Sequence, residues 1–222
     1  MSGGWLRPAV FGAMDGLVTN VSLIAGVGGG GSQHAIVLTG LAGLAAGAFS
    51  MAAGEFVSVS SQNELIHAEV DKERHELKVN AVAEQAELAG MLRRRGVSAA
   101  TARQAAAEIS AHPEKALAVH ALEELGVNPS ELPSPVVAAG ASLAAFAVGA
   151  LVPLLPYALG FDSLGVALGL SALAAIAGGG MVARLTNRPF WRGALRQLVL
   201  GAFAAGLTYL IGLAVGGLAT SA

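Results

Sequence analysis

Asp15 and Glu55 each stand inside a stretch otherwise apolar enough for lipid, FGAMDGLVTNVSLIAGV at 11–27 and SMAAGEFVSVS at 50–60. A charged carboxylate near the middle of a membrane helix costs about 2.5–3.5 kcal/mol on insertion scales, so each must meet something that offsets the cost. Thr19 and Asn20 add polarity close after Asp15. Met51, Glu55, Ser58 and Gln62 recur at intervals of 4, 3 and 4 residues, which aligns a thioether, a carboxylate, a hydroxyl and an amide along one helical stripe. Such a stripe could line a path for a cation. The same groups would also serve as hydrogen bonds between helices, and methionine is a common packing filler.

A second set of carboxylates lies in polar surroundings. Glu73 with Glu76 and Glu84 with Glu87 form two i, i+3 pairs, 11 residues apart and so on one helical face. Paired oxygens suit hard or borderline divalent ions such as Fe²⁺ and Mn²⁺, with Zn²⁺ a further ion for this region. A straight helix would separate the pairs by about 16 Å, which predicts two sites. Neither pair completes a coordination sphere, so further ligands are expected from the neighbourhood of His120, Glu123 and Glu124 or from a second subunit. Exposed helices are commonly rich in glutamate, and Lys72 with Glu76 is an ordinary i, i+4 ion pair, so a solvated face is the competing reading. Glu64 and His67 match the Glu-x-x-His of di-iron bundles, but no second copy follows. His67, His75 and His112 read as surface residues and His34 as part of an outer loop.

The elements that must hold these residues follow from composition. Of 222 residues, 54% are hydrophobic and 13% charged, and the mean hydropathy is +0.63, far from an ordinary soluble domain. Crossing the hydrocarbon takes about 20 helical residues. Five stretches qualify, at 9–28, 35–58, 135–156, 163–184 and 194–218. The first reads as a retained span because it lacks a charged leader beyond Arg7 and an A-x-A-like exit, and contains Asp15 and Asn20. Between the second and third spans, residues 62–131 hold 12 of the 15 acidic residues, 8 of the 13 basic ones and four of the five histidines. The expected fold is therefore an all-α membrane protein: spans one and two over 1–61, a helical insert over 62–131, and spans three to five over 132–222.

Within the insert, apolar spacing at Leu77, Ala81, Leu88 and Met91 or Leu92 predicts one helix from Gln62 to Arg95, continuous with the second span and ended by Gly96. Ser98 caps a second helix to about Ser110, and Pro113 opens a third that closes before Gly126. Small-residue pairs at Gly43 and Gly47, Gly165 and Gly169, and Gly212 and Gly216 would allow close helix approach. Pro153 and Pro156 should bend the end of the third span, and the GVGGGG run reads as a connector.

All 13 lysines and arginines fall on one side of this five-span arrangement. The positive-inside rule then places the N-terminus and insert in the cytoplasm and the C-terminus outside. Absence of cysteine excludes disulfides, thiolate metal sites and cysteine nucleophiles. There is no phosphate loop, nucleophile triad or nucleic-acid motif, and neither an enzyme nor a prosthetic group is expected.

Several segments resemble the vacuolar iron transporter (VIT) family: DGLVTNVSLIAGV at 15–27, SMAAGEFVSVSSQNE at 50–64, the DKERHEL helix from 71, and ELG at 124–126. The resemblance covers nearly the whole chain. It implies a homodimer of five-helix subunits that exports Fe²⁺ and often Mn²⁺ in exchange for protons, with a cytoplasmic insert gathering metal. Asp15 and Met51 would contact metal in the path, with Glu55 a polar or proton-handling neighbour. Glu73, Glu76, Glu84, Glu87 and Glu124 would line the insert site. Where some relatives have a methionine pair ahead of ELG, this chain has His120 and Ala121, and Asn128 replaces a glutamate that can follow ELG. Alternatives are a membrane-anchored metal buffer or ferroxidase-like protein, and a transporter of another solute with the insert as sensor. Alanine- and glycine-rich, cysteine-free composition fits a bacterial plasma membrane.

Overall fold

The computed structural model describes residues 4–28 and 32–219. No strand occurs among them. The chain divides into two compact units, Met1–Val57 with Pro135–Ala222, and Ser58–Ser134.

The first unit contains α1 (Leu6–Gly28), the opening part of α2 (Gln33–Val79), α6 (Pro135–Leu151), α7 (Leu155–Ala158), α8 (Leu164–Leu185) and α9 (Phe190–Ala219). Five helical stretches are long and apolar enough to cross a membrane: Leu6–Gly28, Gln33–Val79, Pro129–Ala158, Leu164–Leu185 and Phe190–Val215. Lipid supplies no hydrophobic drive between helices, so close packing depends on small side chains. A Cβ on Gly12 would press on the Ser142 carbonyl, one on Gly16 on that of Phe146, and one on Gly149 of α6 on that of Ala13. These three glycines let α1 and α6 touch backbone to backbone. Asn20 Nδ2 fastens the same pair by donating to the Ala150 carbonyl at 2.6 Å.

The sequence-level glycine pairs fare unequally. Gly43 and Gly47 make room for Leu23 and the Phe146 ring, and Gly212 lies against Gly26 of α1. Gly169 faces open space and Gly165 meets only Ser163, so that pair packs nothing. The surroundings of Gly216 and residues 29–31 of the glycine connector lie outside the described residues. His34, expected in a loop, falls in the first turn of α2. Pro153 and Pro156 do interrupt the third span, where a 3₁₀ turn at Val152–Leu154 separates α6 from α7.

The second unit contains the end of α2, α3 (Ala81–Arg94), α4 (Ala99–Ser110), α5 (Pro113–His120), a π-helical turn (Ala121–Leu125) and a 3₁₀ turn (Pro129–Glu131). Two apolar clusters hold it. Leu88, Ala89, Met91 and Ala106 join α3 to α4, and Val70, Leu117 and Ala121 join α2 to α5. Gly96, at φ +91, ends α3, and Ser98 Oγ accepts from the Thr101 amide to start α4. The single helix expected from 62 to 95 is broken at Asn80, whose φ of −121 and ψ of 33 lie outside the helical region. The insert thus has one more helical break than its glycines and prolines announce.

Candidate metal centre

The break at Asn80 decides the geometry. On an uninterrupted helix Glu73 and Glu84 would stand about 16 Å apart along the axis, farther than two glutamate side chains can close. Here Glu73 Oε1 lies 3.0 Å and Glu84 Oε2 3.8 Å from one atom, Nδ1 of His120. The expectation of two separate sites is therefore corrected: one glutamate from each pair converges on a single centre. Glu124 Oε1 reaches the same nitrogen at 3.1 Å. It does so from the π-helical turn following α5, a distortion of the kind that often marks functional sites.

His120 is fully buried and the Glu73 and Glu84 side chains are nearly so. A neutral imidazole nitrogen can give one hydrogen or accept one, so Nδ1 cannot satisfy three carboxylates. The accounting fails visibly: Glu73 Oε1 is shut away from water without a hydrogen bond, and so is His120 Nε2. Ligand atoms of Glu73, His120 and Glu124 all lie within 4.8 Å of one another, and among the described residues this is the group of three or more His, Asp or Glu so arranged. Two carboxylate oxygens and an imidazole nitrogen are a donor set for a borderline divalent ion.

Electrostatics agree with the geometry. The Glu73 carboxyl is pushed above its usual range, first by burial and then by the nearby Glu124 charge, with His120 opposing. Glu84 is also raised, by burial first and then by Glu87, again with His120 opposing. Negative groups crowd together with too little positive charge among them. Glu123 is not part of this crowd; Arg95, at the end of α3, holds it at 2.9 Å. A cleft of about 60 Å³ lined by Glu69, Lys72, Glu73, Glu76 and Glu124 adjoins the centre and gives Glu76 a place at its mouth. Glu87 is exposed beside Glu84.

The residues of the first unit are arranged differently. Asp15 is half-buried on α1 and accepts from Thr19 Oγ1 at 3.4 Å. Met51 packs against the cluster of Ala48, Phe146 and Ala150, and Glu55 lies half-buried one turn further along α2. Neither Asp15 nor Glu55 joins a group of three converging ligands among the described residues. His120 is the residue that sequence reasoning placed nearby without assigning. Its signal was present in the i, i+4 spacing to Glu124.

A match to the VIT family runs over residues 6–213 and so takes in both the α1–α2 carboxylates and the centre around His120. The chain belongs to the VIT family. Relatives include a vacuolar iron transporter of Acanthamoeba castellanii, 36% identical, with 94% of this chain and 78% of that protein aligned. Vacuolar iron transporter homolog 3 of Arabidopsis thaliana is 35% identical over 92% of this chain and 80% of its own length. Vacuolar iron transporter 2 of Oryza sativa subsp. japonica is 32% identical over 94% and 86%. Membership of the VIT family and five membrane-length helices together make the chain an integral membrane protein.

Proposed function

We propose that this VIT-family chain exports divalent metal, Fe²⁺ or Mn²⁺, from the cytoplasm in exchange for protons. The observation that carries the reading is the convergence of Glu73, Glu84 and Glu124 on His120. Buried acids that repel one another and lack donors are stabilised by a divalent cation and, in its absence, by protons. Metal and proton then compete for the same oxygens, which is the chemistry an exchanger needs. The names of the relatives, iron transporters, support iron as a cargo.

In this reading the insert is cytoplasmic and collects metal through Glu73, Glu76, Glu84, Glu87, His120 and Glu124. Metal then passes along Asp15 and Met51, with Glu55 handling protons, and leaves on the far side. Each of these path residues offers one or two ligand atoms in a single chain, so a homodimer that doubles them would complete a coordination sphere. With five spans, all 13 basic residues fall on the side of the N-terminus and insert, which supports an N-terminus inside and the end of α9 outside; the cysteine-free, alanine- and glycine-rich composition fits a bacterial plasma membrane.

The test is flux into proteoliposomes with Fe²⁺ or Mn²⁺ and internal pH recorded together. Metal entry with opposite proton movement is expected, lost in Asp15→Asn while metal binding by the insert persists. Unchanged flux in Asp15→Asn would overturn the path. Metal binding with no flux in the parent protein would favour a membrane-anchored buffer, a reading that the location of the converging ligands in the second unit also supports.

A further inference from the structure

Arg184, Arg188, Arg192 and Arg196 fall within 13 residues around the turn between α8 and α9, and no Asp or Glu follows Asp162 in the sequence. All four are exposed. No ion pair to any of them occurs among the described residues, where pairs involve Arg74, Arg95 and His120. Four guanidinium groups so close repel one another, and neither the turn nor the two helices that flank it contain an Asp or Glu.

Their depth is set by the helices. α8 ends at Leu185 and α9 begins at Phe190, both of membrane-spanning length, so the turn sits where hydrocarbon gives way to headgroups. Trp191 is 60% exposed there, a residue type and position characteristic of the bilayer interface. Gly179 and Gly193 bring the two helices together, and the Phe190 ring covers Gly180. Two of the arginines are held by aromatic faces: Arg184 lies 5.4 Å from the Phe190 ring centre and Arg192 5.4 Å from that of Trp191. Asn187 adopts a left-handed conformation, φ 54, and the Arg188 amide closes back on the Ala183 carbonyl at 2.8 Å. The turn is therefore ordered. Met14 abuts Gly178 while Gly28 abuts Leu164, so α1 and α8 run antiparallel and exposed Arg7 belongs to the same edge of the unit.

We infer that this arginine-rich turn binds the phosphate headgroups of anionic phospholipids. Guanidinium is suited to phosphate because its planar fork offers paired donors, and basic clusters flanking membrane helices gain about 1 kcal/mol per residue near an anionic surface. Lipid is favoured over a soluble anion because the turn is flanked by exposed apolar side chains, Leu185 at 62%, Trp191 at 60% and Leu195 at 52%, against which acyl chains can lie. The inference is independent of which ion the protein carries.

The experiment counts lipids retained by the full-length protein in uncharged detergent, using native mass spectrometry with equimolar phosphatidylglycerol and phosphatidylcholine. Phosphatidylglycerol should be retained preferentially. Each arginine removed should weaken retention about fivefold, the equivalent of about 1 kcal/mol, so Arg188→Gln with Arg192→Gln should lower it about 25-fold. Neutralising two exposed basic residues of the insert, Arg103→Gln with Lys115→Gln, should leave it unchanged. Should the glutamine pair insert poorly, Arg188→Lys with Arg192→Lys keeps the charge but not the paired donors and should keep part of the preference. In the parent protein, raising salt from about 0.1 M to about 1 M shortens the screening length from about 10 Å to about 3 Å and should erode it. Equal retention of both lipids, insensitivity to salt, complete loss in the lysine pair, equal loss in the insert pair, or displacement of phosphatidylglycerol by millimolar inorganic phosphate would each overturn the assignment.

Discussion

Nδ1 of His120 lies 3.0 Å from Oε1 of Glu73, yet that buried oxygen has no hydrogen bond. The nitrogen is shared with Glu124 at 3.1 Å and Glu84 at 3.8 Å, and one imidazole nitrogen cannot serve all three. A divalent cation among them would supply the positive charge and the partner for Glu73 Oε1 that one imidazole cannot. Glu73→Gln should therefore lower Mn²⁺ affinity by about tenfold or more, a loss typical of weakened metal sites, as measured by calorimetry. The same change should raise the melting temperature of the metal-free protein, because it removes a buried charge repelled by Glu124. A site that is only structural would lose stability instead.

Acidification should release metal from this centre sooner than from surface carboxylates. Glu73 and Glu84 hold their protons above the ordinary 4.5 because burial penalises the charged form. A carboxyl raised on folding favours the folded state below its unfolded value, and that contribution is lost as pH rises through the raised value. Metal-free protein should thus lose stability on going from about pH 4.5 upward through that window, and saturating Mn²⁺ should abolish the loss. Thermal denaturation across pH, with and without Mn²⁺, reads this directly.

The five spans were legible because a run of about 20 apolar residues has few other uses. Ser98, Gly96 and Gly126 announced helix ends through capping and left-handed geometry, and the structure uses all three. Asn80 gave a weaker warning: asparagine is a common helix N-cap, but here its side chain makes no capping hydrogen bond. It sits in VNAVAE, without glycine or proline, and its interruption is expressed through tertiary burial of Glu73, Glu84 and His120 rather than through local propensity. Because that one bend went unseen, two glutamate pairs looked like two sites. The glycines at 12 and 16 carried the small-xxx-small spacing in plain view, but their partner Gly149 is distant in sequence and only the fold brings it to them.

His120 should set ion preference. Imidazole suits several first-row ions, whereas thioether is softer, so His120→Met should retain Fe²⁺ better than the harder Mn²⁺. Competition binding should show the order of affinities shift by about tenfold at the variant, with all ions weakened in His120→Ala. An unchanged order in His120→Met would remove His120 from the coordination sphere.

The α1–α6 crossing should tolerate no side chain at its contact points. Gly16→Ala would drive a Cβ into the Phe146 backbone carbonyl, and overpacking of this kind costs about 1–3 kcal/mol. Gly140→Ala, on the same α6 but with open space around it, should be neutral or stabilise by up to about 1 kcal/mol. Thermal unfolding of the two variants in detergent separates contact from propensity: equal behaviour would contradict the close approach.

Pulsed electron paramagnetic resonance of the full-length protein loaded with about one equivalent of Mn²⁺ tests the metal centre most directly. A nitrogen coupling from one imidazole is predicted, present in the parent and in His67→Ala and lost in His120→Ala. Mn²⁺ bound without any nitrogen coupling, or with a coupling that survives in His120→Ala, would contradict a centre built on Glu73, His120 and Glu124.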